Sequence, residues 1–213
     1  LKSLFPFFAT FLSELGFHLD IYRGADHQAL KRGIEEANVP FCAPMQQYHG
    51  LVSQMSEGSA DFLFIPMVRE LPRVKDEKYA VVCPIVQGSP DVLRWDLGKE
   101  HTSKIISPSI QYGEGGGLDS EEFLASIKNL AEELGIFTSH WWPAYEKAYE
   151  AQKNFNTDIL MLGIRALEFC ETEGITPIVV LGRPYTIYNK VLNSNVPAIL
   201  REQGTLPIPI DCY

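Results

Sequence analysis

Three of the four cysteines in this sequence occupy the same kind of position. Cys42 follows Val39-Pro40-Phe41, Cys83 follows Tyr79-Ala80-Val81-Val82, and Cys212 follows Leu206-Pro207-Ile208-Pro209-Ile210 and Asp211. Each preceding run reads as an extended segment, so each thiol is expected at the carboxyl end of a strand. In open α/β sheets ligands bind at that edge, because the loops converge there and helix N-termini point their N–H groups at the site. Cys42 and Cys83 also precede prolines suited to a first helical turn, Pro44 and Pro84. The positive end of a helix favours a thiolate, the form that binds metals.

Three thiolates can hold three irons of a 4Fe–4S cube and leave the fourth open to another ligand. Three thiolates with His49 can equally complete a tetrahedral zinc site. The bland reading is that all are free thiols packed in an α/β core. Cys170 is the internal contrast, since it shares a helical face with Gly163, Ala166 and Leu167 and reads as core. His49 lies two turns beyond Cys42 on the same expected helix face and can be a ligand, a proton donor or a satisfied helix histidine, with a role supporting a ligand favoured. Arg183, at a strand end before Pro184, can pair with a phosphate of coenzyme A or bridge two domains. His18, His27, His101 and His140 have no partner pattern. No Ser/His/Asp set and no paired carboxylates stand out, so no catalytic residue is assigned.

The elements that must position these residues alternate. Leu4, Phe8, Phe11, Leu12 and Leu15 recur at helical spacing, with Ser3 as a candidate cap and Gly16 as a stop. The same start superficially resembles a signal peptide, but the amphipathic helix explains it better. His18 to Tyr22 alternates like a strand, and Asp26 caps a helix running to about Ala37. A helix after Cys42 carries Tyr48, Leu51, Val52 and Met55 until Gly58. Phe62 to Ile65 and Tyr79 to Val82 read as buried strands.

Gly113-Glu114-Gly115-Gly116-Gly117 breaks the pattern and reads as a linker, because Leu118 spoils a Gly-x-Gly-x-x-Gly match. Asp119 and Glu122 form a candidate capping box for a helix bearing Phe123, Ile127, Leu130, Ala131 and Leu134. A helix from near Ser139 holds Trp141, Trp142, Tyr145 and Tyr149 as packing aromatics, and a separate one is expected from about Asp158 to Glu173. A strand at 178–181, a helix at 191–203 and an extended segment at 206–210 then form a βαβ unit. The expected fold class is α/β, with two Rossmann-like three-layer domains built on largely parallel sheets. The boundary is set at residues 117 and 118. Residues 1–117 carry two of the three cysteines, and 118–213 hold a helical linker and the start of a second domain expected to be incomplete. The sequence lacks an initiating Met, which suggests an excised or processed piece.

With 213 residues, 46% of them apolar, the chain can bury a sizeable core. Its 18 basic and 27 acidic residues leave a net charge of −9, which opposes binding to nucleic acid or anionic membranes. No run approaches the roughly 18 apolar residues of a membrane span. Four dispersed cysteines, with no Cys-x-x-Cys pair, favour a reducing, cytoplasmic setting.

Several motifs together resemble a known family. They are Phe7-Phe8-x-x-Phe11 through Leu15-Gly16-Phe17, Cys42-x-Pro44 with His49-Gly50, Asp61-Phe62 through Ile65-Pro66, Cys83-Pro84, and Gly182-Arg183-Pro184-Tyr185. Over nearly its whole length the chain is similar to the activase-related proteins of the 2-hydroxyacyl-CoA dehydratase superfamily, whose relatives include subunits of 2-hydroxyglutaryl-CoA dehydratase and benzoyl-CoA reductase. The resemblance implies that Cys42 and Cys83 from one domain and Cys212 from the next hold a 4Fe–4S cluster between domains. It further implies anaerobic electron transfer, driven by an ATP-hydrolysing activase module, to an acyl-CoA-type substrate or partner. Gln46 departs from the family pattern, which often has Lys there. The chain itself has no Gly-x-x-x-x-Gly-Lys-Ser/Thr loop, so ATP hydrolysis is expected of a partner module. The alternatives are a non-redox module that binds CoA esters or acts as a scaffold, and a zinc site.

Overall fold

The computed structural model describes residues 2–22, 24–38, 40–73, 78, 80–113, 116–137 and 139–213. Val39, Tyr79 and the Glu114-Gly115 part of the glycine run therefore lie outside the described residues. The elements in chain order are α1 (Phe5–Glu14), α2 (His27–Glu36), α3 (Ala43–Ser56), β1 (Leu63–Phe64), β2 (Met67–Val68), α4 (Pro84–Gln87), α5 (Ser89–Asp96) and α6 (Lys99–Thr102). They continue with β3 (Ile105–Ile106), β4 (Ser109–Ile110), α7 (Glu121–Glu133), α8 (Trp141–Glu173), β5 (Thr176–Val180), α9 (Pro184–Ile187), α10 (Val196–Glu202) and β6 (Thr205–Pro209).

The class is mixed helix and strand, and every named strand pair is parallel: β1 with β3, β2 with β4, and β5 with β6. The described strands join only two by two, so they do not form the two broad sheets expected from the sequence. The chain divides into two compact units, one of residues 1–11 and 147–213 and the other of residues 12–146. Residues 117 and 118 both fall within the latter.

In the unit of residues 12–146, α2 begins where the Asp26 carboxylate accepts a hydrogen bond from the Ala29 amide at 2.9 Å, the expected cap. The closest packing here is between α2 and α3. A Cβ on Gly33 would overlap the Gln46 carbonyl oxygen, and one on Gly50 would overlap the Ala29 carbonyl oxygen. Two glycines facing backbone let the helices approach more closely than side chains allow. Val52 of α3 then joins Leu63, Ile65, Leu93 and Ile105 in an apolar core against which Tyr48, Met55 and Leu97 pack. Burying side chains of this size stabilises the fold by about 1.5–3 kcal/mol each. Beside β4, Tyr112 and Phe123 stack with centroids 5.1 Å apart, and Ile127 and Leu130 of α7 are fully buried. The α7 cap is Ser120, one residue beyond the expected Asp119; its hydroxyl accepts from the Phe123 amide at 3.2 Å.

In the other unit, Phe7 lies between Phe8, edge-on at 5.3 Å, and Phe11, stacked at 6.1 Å. The buried amide of Gln152 accepts from the Phe7 backbone N–H at 3.2 Å and donates to the Ser3 carbonyl at 2.8 Å, holding α1 to α8. The strand β5 runs parallel to β6 over five residue pairs, with α9 and α10 in the crossover. This matches the expected βαβ unit, although its helical part is shorter than the 191–203 predicted.

Two further expectations are corrected. Residues 18–22 form no strand, and Ile21 and Tyr22 are exposed, so their alternation has no sheet to face. The two helices expected between Ser139 and Glu173 are one helix, α8, of 33 residues, about 50 Å long.

Candidate functional site

Cys42 and Cys83 both sit in the unit of residues 12–146, and both are N-cap residues. Cys42 heads α3, its carbonyl accepting from the Met45 and Gln46 amides at 2.9 and 3.0 Å, while its side chain makes no capping bond. Cys83 heads α4 in the same way, with its carbonyl accepting from Gln87 at 3.1 Å. In each case proline at the helix start removes an amide that has no intrahelical partner and presets the turn. Cys42 is exposed and Cys83 half-buried, and α5 packs against both helices.

The strand-end placement holds for only one of the three thiols. Pro40 and Phe41 before Cys42 are in no strand, and the segment before Cys83 contributes a single antiparallel bridge, Val81 to Glu70, with Tyr79 outside the described residues. Among the described residues Pro40 and Phe41 join no strand, and the run before Cys83 bonds only to residues 69–71, the Leu71 amide donating to the Ala80 carbonyl at 2.9 Å and the Val82 amide to the Arg69 carbonyl at 3.1 Å; Val81 is itself exposed. Cys212 does follow a strand, β6, within one short 3-10 turn, Ile210–Cys212. It belongs to the other unit, where it is buried. Its carbonyl lies against Gly163 of α8, where a Cβ would overlap it. The Tyr188 hydroxyl stands 3.9 Å from its sulfur and donates to Asp211 Oδ1 at 2.8 Å. Burial, reinforced by Asp211, pushes the Tyr188 hydroxyl far above its ordinary range, so it keeps its proton.

Arg183, in the same unit as Cys212, is exposed at the N-cap of α9. Its Nη1 donates to the Tyr185 hydroxyl at 2.9 Å, and its guanidinium carbon lies 6.0 Å from that ring's centroid. Cys170 is buried, as its helical face implied. Among the described residues no three His, Cys, Asp or Glu side chains are gathered to hold a metal ion.

His49 is engaged elsewhere than with the thiols. It is 1% exposed, and its Nε2 lies 3.1 Å from Asp96 Oδ2, whose side chain is 3% exposed. The other Asp96 oxygen accepts from the Asn38 side-chain amide at 2.8 Å. This pair lines a cavity of about 330 Å³, together with Arg32, Glu36, Glu57 and His101. Arg32 faces two carboxylates there: Nε donates to Glu36 at 2.6 Å, Nη1 to Glu57 at 2.9 Å, and Nη2 to the second Glu57 oxygen. Bonded in this way, Glu57 is held below the ordinary carboxylate range, first by the hydrogen bond from Arg32. Sequence reasoning missed Asp96, because it lies 47 residues from His49 and no spacing rule connects them. A carboxylate two residues before Gly98 was the visible signal, without its partner.

No helix of the described residues is long and apolar enough to cross a membrane. No curated protein and no solved structure matches the chain significantly. One family does match, described as "CoA enzyme activase uncharacterised domain (DUF2229)", and the match runs over residues 1–212. It therefore takes in the capping thiols, the His49–Asp96 cavity and the β5–β6 unit alike, and the chain belongs to that CoA enzyme activase domain family.

Proposed function

We propose that this chain is an iron–sulfur module of a CoA-enzyme activation system, in which Cys42, Cys83 and Cys212 ligate a 4Fe–4S cluster. The observation that carries the reading is the shared placement of Cys42 and Cys83. Both thiols cap proline-started helices of one unit, make no capping bond of their own and keep contact with solvent. Soft thiols with accessible sulfur suit iron–sulfur ligation, and thiolate at a helix start is favoured by the first-turn N–H groups. When bound, such a cluster accepts and passes on single electrons. The residues of the chain have separate tasks. Cys42 and Cys83 each present a sulfur at a helix start, and the Tyr188 hydroxyl, whose one proton goes to Asp211 Oδ1, stands 3.9 Å from the Cys212 sulfur, where it can accept from the thiol. His49 supports the module structurally, through Asp96 next to the α5 end.

The β1–β3 and β5–β6 pairs are the proposed centres of two Rossmann-like layers. An ATP-hydrolysing activase module is the proposed electron donor, and an acyl-CoA-type substrate or its enzyme the acceptor. Membership of a CoA enzyme activase family supports this assignment.

Anaerobic reconstitution of the full chain with iron and sulfide is expected to give a brown protein with about four irons and four sulfides per chain. Cys42→Ser, Cys83→Ser and Cys212→Ser are each expected to lose the colour, and Cys170→Ser to keep it. A colourless product, or zinc found in place of iron by elemental analysis, refutes the cluster.

A further inference from the structure

The two edges of the β5–β6 sheet are unlike, and proline makes them so. In a parallel pair, alternate residues of each strand turn both N–H and C=O toward the neighbour. The register sets Pro177 beside Leu206, Ile178 beside Pro207 and Val180 beside Pro209. Proline has no N–H, so this ladder closes only through Leu206 and Ile208 of β6 and through Ile178 and Val180 of β5. On β6 the outward residues therefore include Pro207 and Pro209, which offer a further strand no donor, and α10 packs against that strand. On β5 the outward residue is Val179, with its N–H and C=O both turned away from β6. Neither group has a partner among the described residues.

The sequence of β5 suits the middle of a sheet, yet the strand lies at an edge. Pro177-Ile178-Val179-Val180-Leu181 is an unbroken apolar run, the pattern of a strand buried on both faces, and Leu181 is 76% exposed. An edge of this kind is a template for one more strand. Charge says which strand it is. The exposed Glu171 and Glu173 precede β5, and the exposed Arg183 follows it. A second β5 laid antiparallel brings the Arg183 end of each copy to the Glu173 end of the other, so opposite charges meet at both ends. The acidic and basic residues of 1–11 and 147–213 balance, so the net charge of −9 lies wholly in the other unit and two copies of this one approach without net repulsion.

We propose that β5 is a self-association edge, at which two copies of the chain pair β5 to β5 antiparallel across a two-fold axis. Val179 bonds to the other copy, and the resulting four-stranded sheet ends on each side in the proline edge of β6. The pairing needs no metal and no cluster, so its failure and that of the cysteine proposal are separate results.

The test is sedimentation of the full chain, metal-free and with reductant present, from low to high micromolar concentration. A reversible equilibrium between monomer and dimer is expected. Val179→Pro removes the outward N–H but no donor of the β5–β6 ladder, and is expected to weaken the dimer about tenfold or more, whereas Val179→Ala keeps the N–H and the dimer. Arg183→Glu is expected to weaken it as well, and the added Glu173→Arg to restore it. Should a variant fail to fold, amide exchange of the wild type decides, with the Val179 amide slowed at dimer concentrations relative to the dilute monomer. A chain that stays monomeric throughout, or that grows into open-ended polymers, overturns the proposal. A dimer whose Val179 amide is not protected, or one unchanged in a folded Val179→Pro, overturns it too.

Discussion

His49 cannot be parted from Asp96 without stranding a ring nitrogen in the protein interior, since the histidine is only 1% exposed. Asp96→Ala removes the acceptor of both His49 and Asn38, and chemical denaturation is expected to show a loss of about 1–3 kcal/mol. Glu57 behaves differently because it lies at the surface. Its folded carboxyl is held below the ordinary range by Arg32, so the pairing contributes above the ordinary carboxylate range and is lost as pH falls through the lowered value. Comparing the acid unfolding midpoint of Glu57→Gln with that of the parent checks this. The parent is expected to be the more stable only on the neutral side, and the two curves to converge in acid. The exposed pair is screened, so its contribution to stability is small.

At the scale of elements, the α2–α3 seam is the most sensitive place in the fold. Gly50→Ala puts a methyl group onto the Ala29 carbonyl, and Gly33→Ala puts one onto that of Gln46. Each is expected to cost about 3 kcal/mol, read as a lowered denaturation midpoint, whereas alanine at the more open Gly88 should be nearly neutral. Gly33 drew no attention in the sequence and Gly50 only as part of the His49-Gly50 motif, since a close approach shows itself only when the facing helix is known. What local chemistry sets was legible: the Asp26 cap, the proline starts after Cys42 and Cys83, and the apolar face of Phe123, Ile127 and Leu130. The separate helix expected from about Asp158 is instead the continuation of α8, and the polar residues before it do not interrupt the helix. Gln152 donates to Asn156 at 2.9 Å and the Thr157 hydroxyl to the Lys153 carbonyl at 3.1 Å, so those side chains are satisfied within a continuing helix. Strands were the least legible elements. Pairing is non-local, and an alternating stretch such as His18 to Tyr22 reads the same whether or not a neighbour exists.

At the scale of the whole molecule, the net charge of −9 bears on how an anionic CoA ester would reach the protein. Like charges repel across the Debye length, which shrinks from about 30 Å at 0.01 M salt to about 8 Å at 0.15 M. Stopped-flow association of a CoA ester is therefore expected to speed up several-fold over that range. A rate that falls with added salt would instead reveal a local basic site, and Arg183 is the first residue to substitute. The candidate site was legible in part for a related reason. Cys42, Cys83 and Cys212 stand out as residue types, but which groups they meet depends on long-range packing, as the His49–Asp96 pair illustrates. The glycine seam has one more consequence, in the order of assembly. The two helices are joined by a short stretch of chain and make the most extensive contact between any two described elements, so their docking closes a small loop at little entropic cost. Such a hairpin of helices is suited to form early and to template the rest of its unit. A bulky residue at Gly33 should then act mainly by slowing folding, with little change in the rate of unfolding.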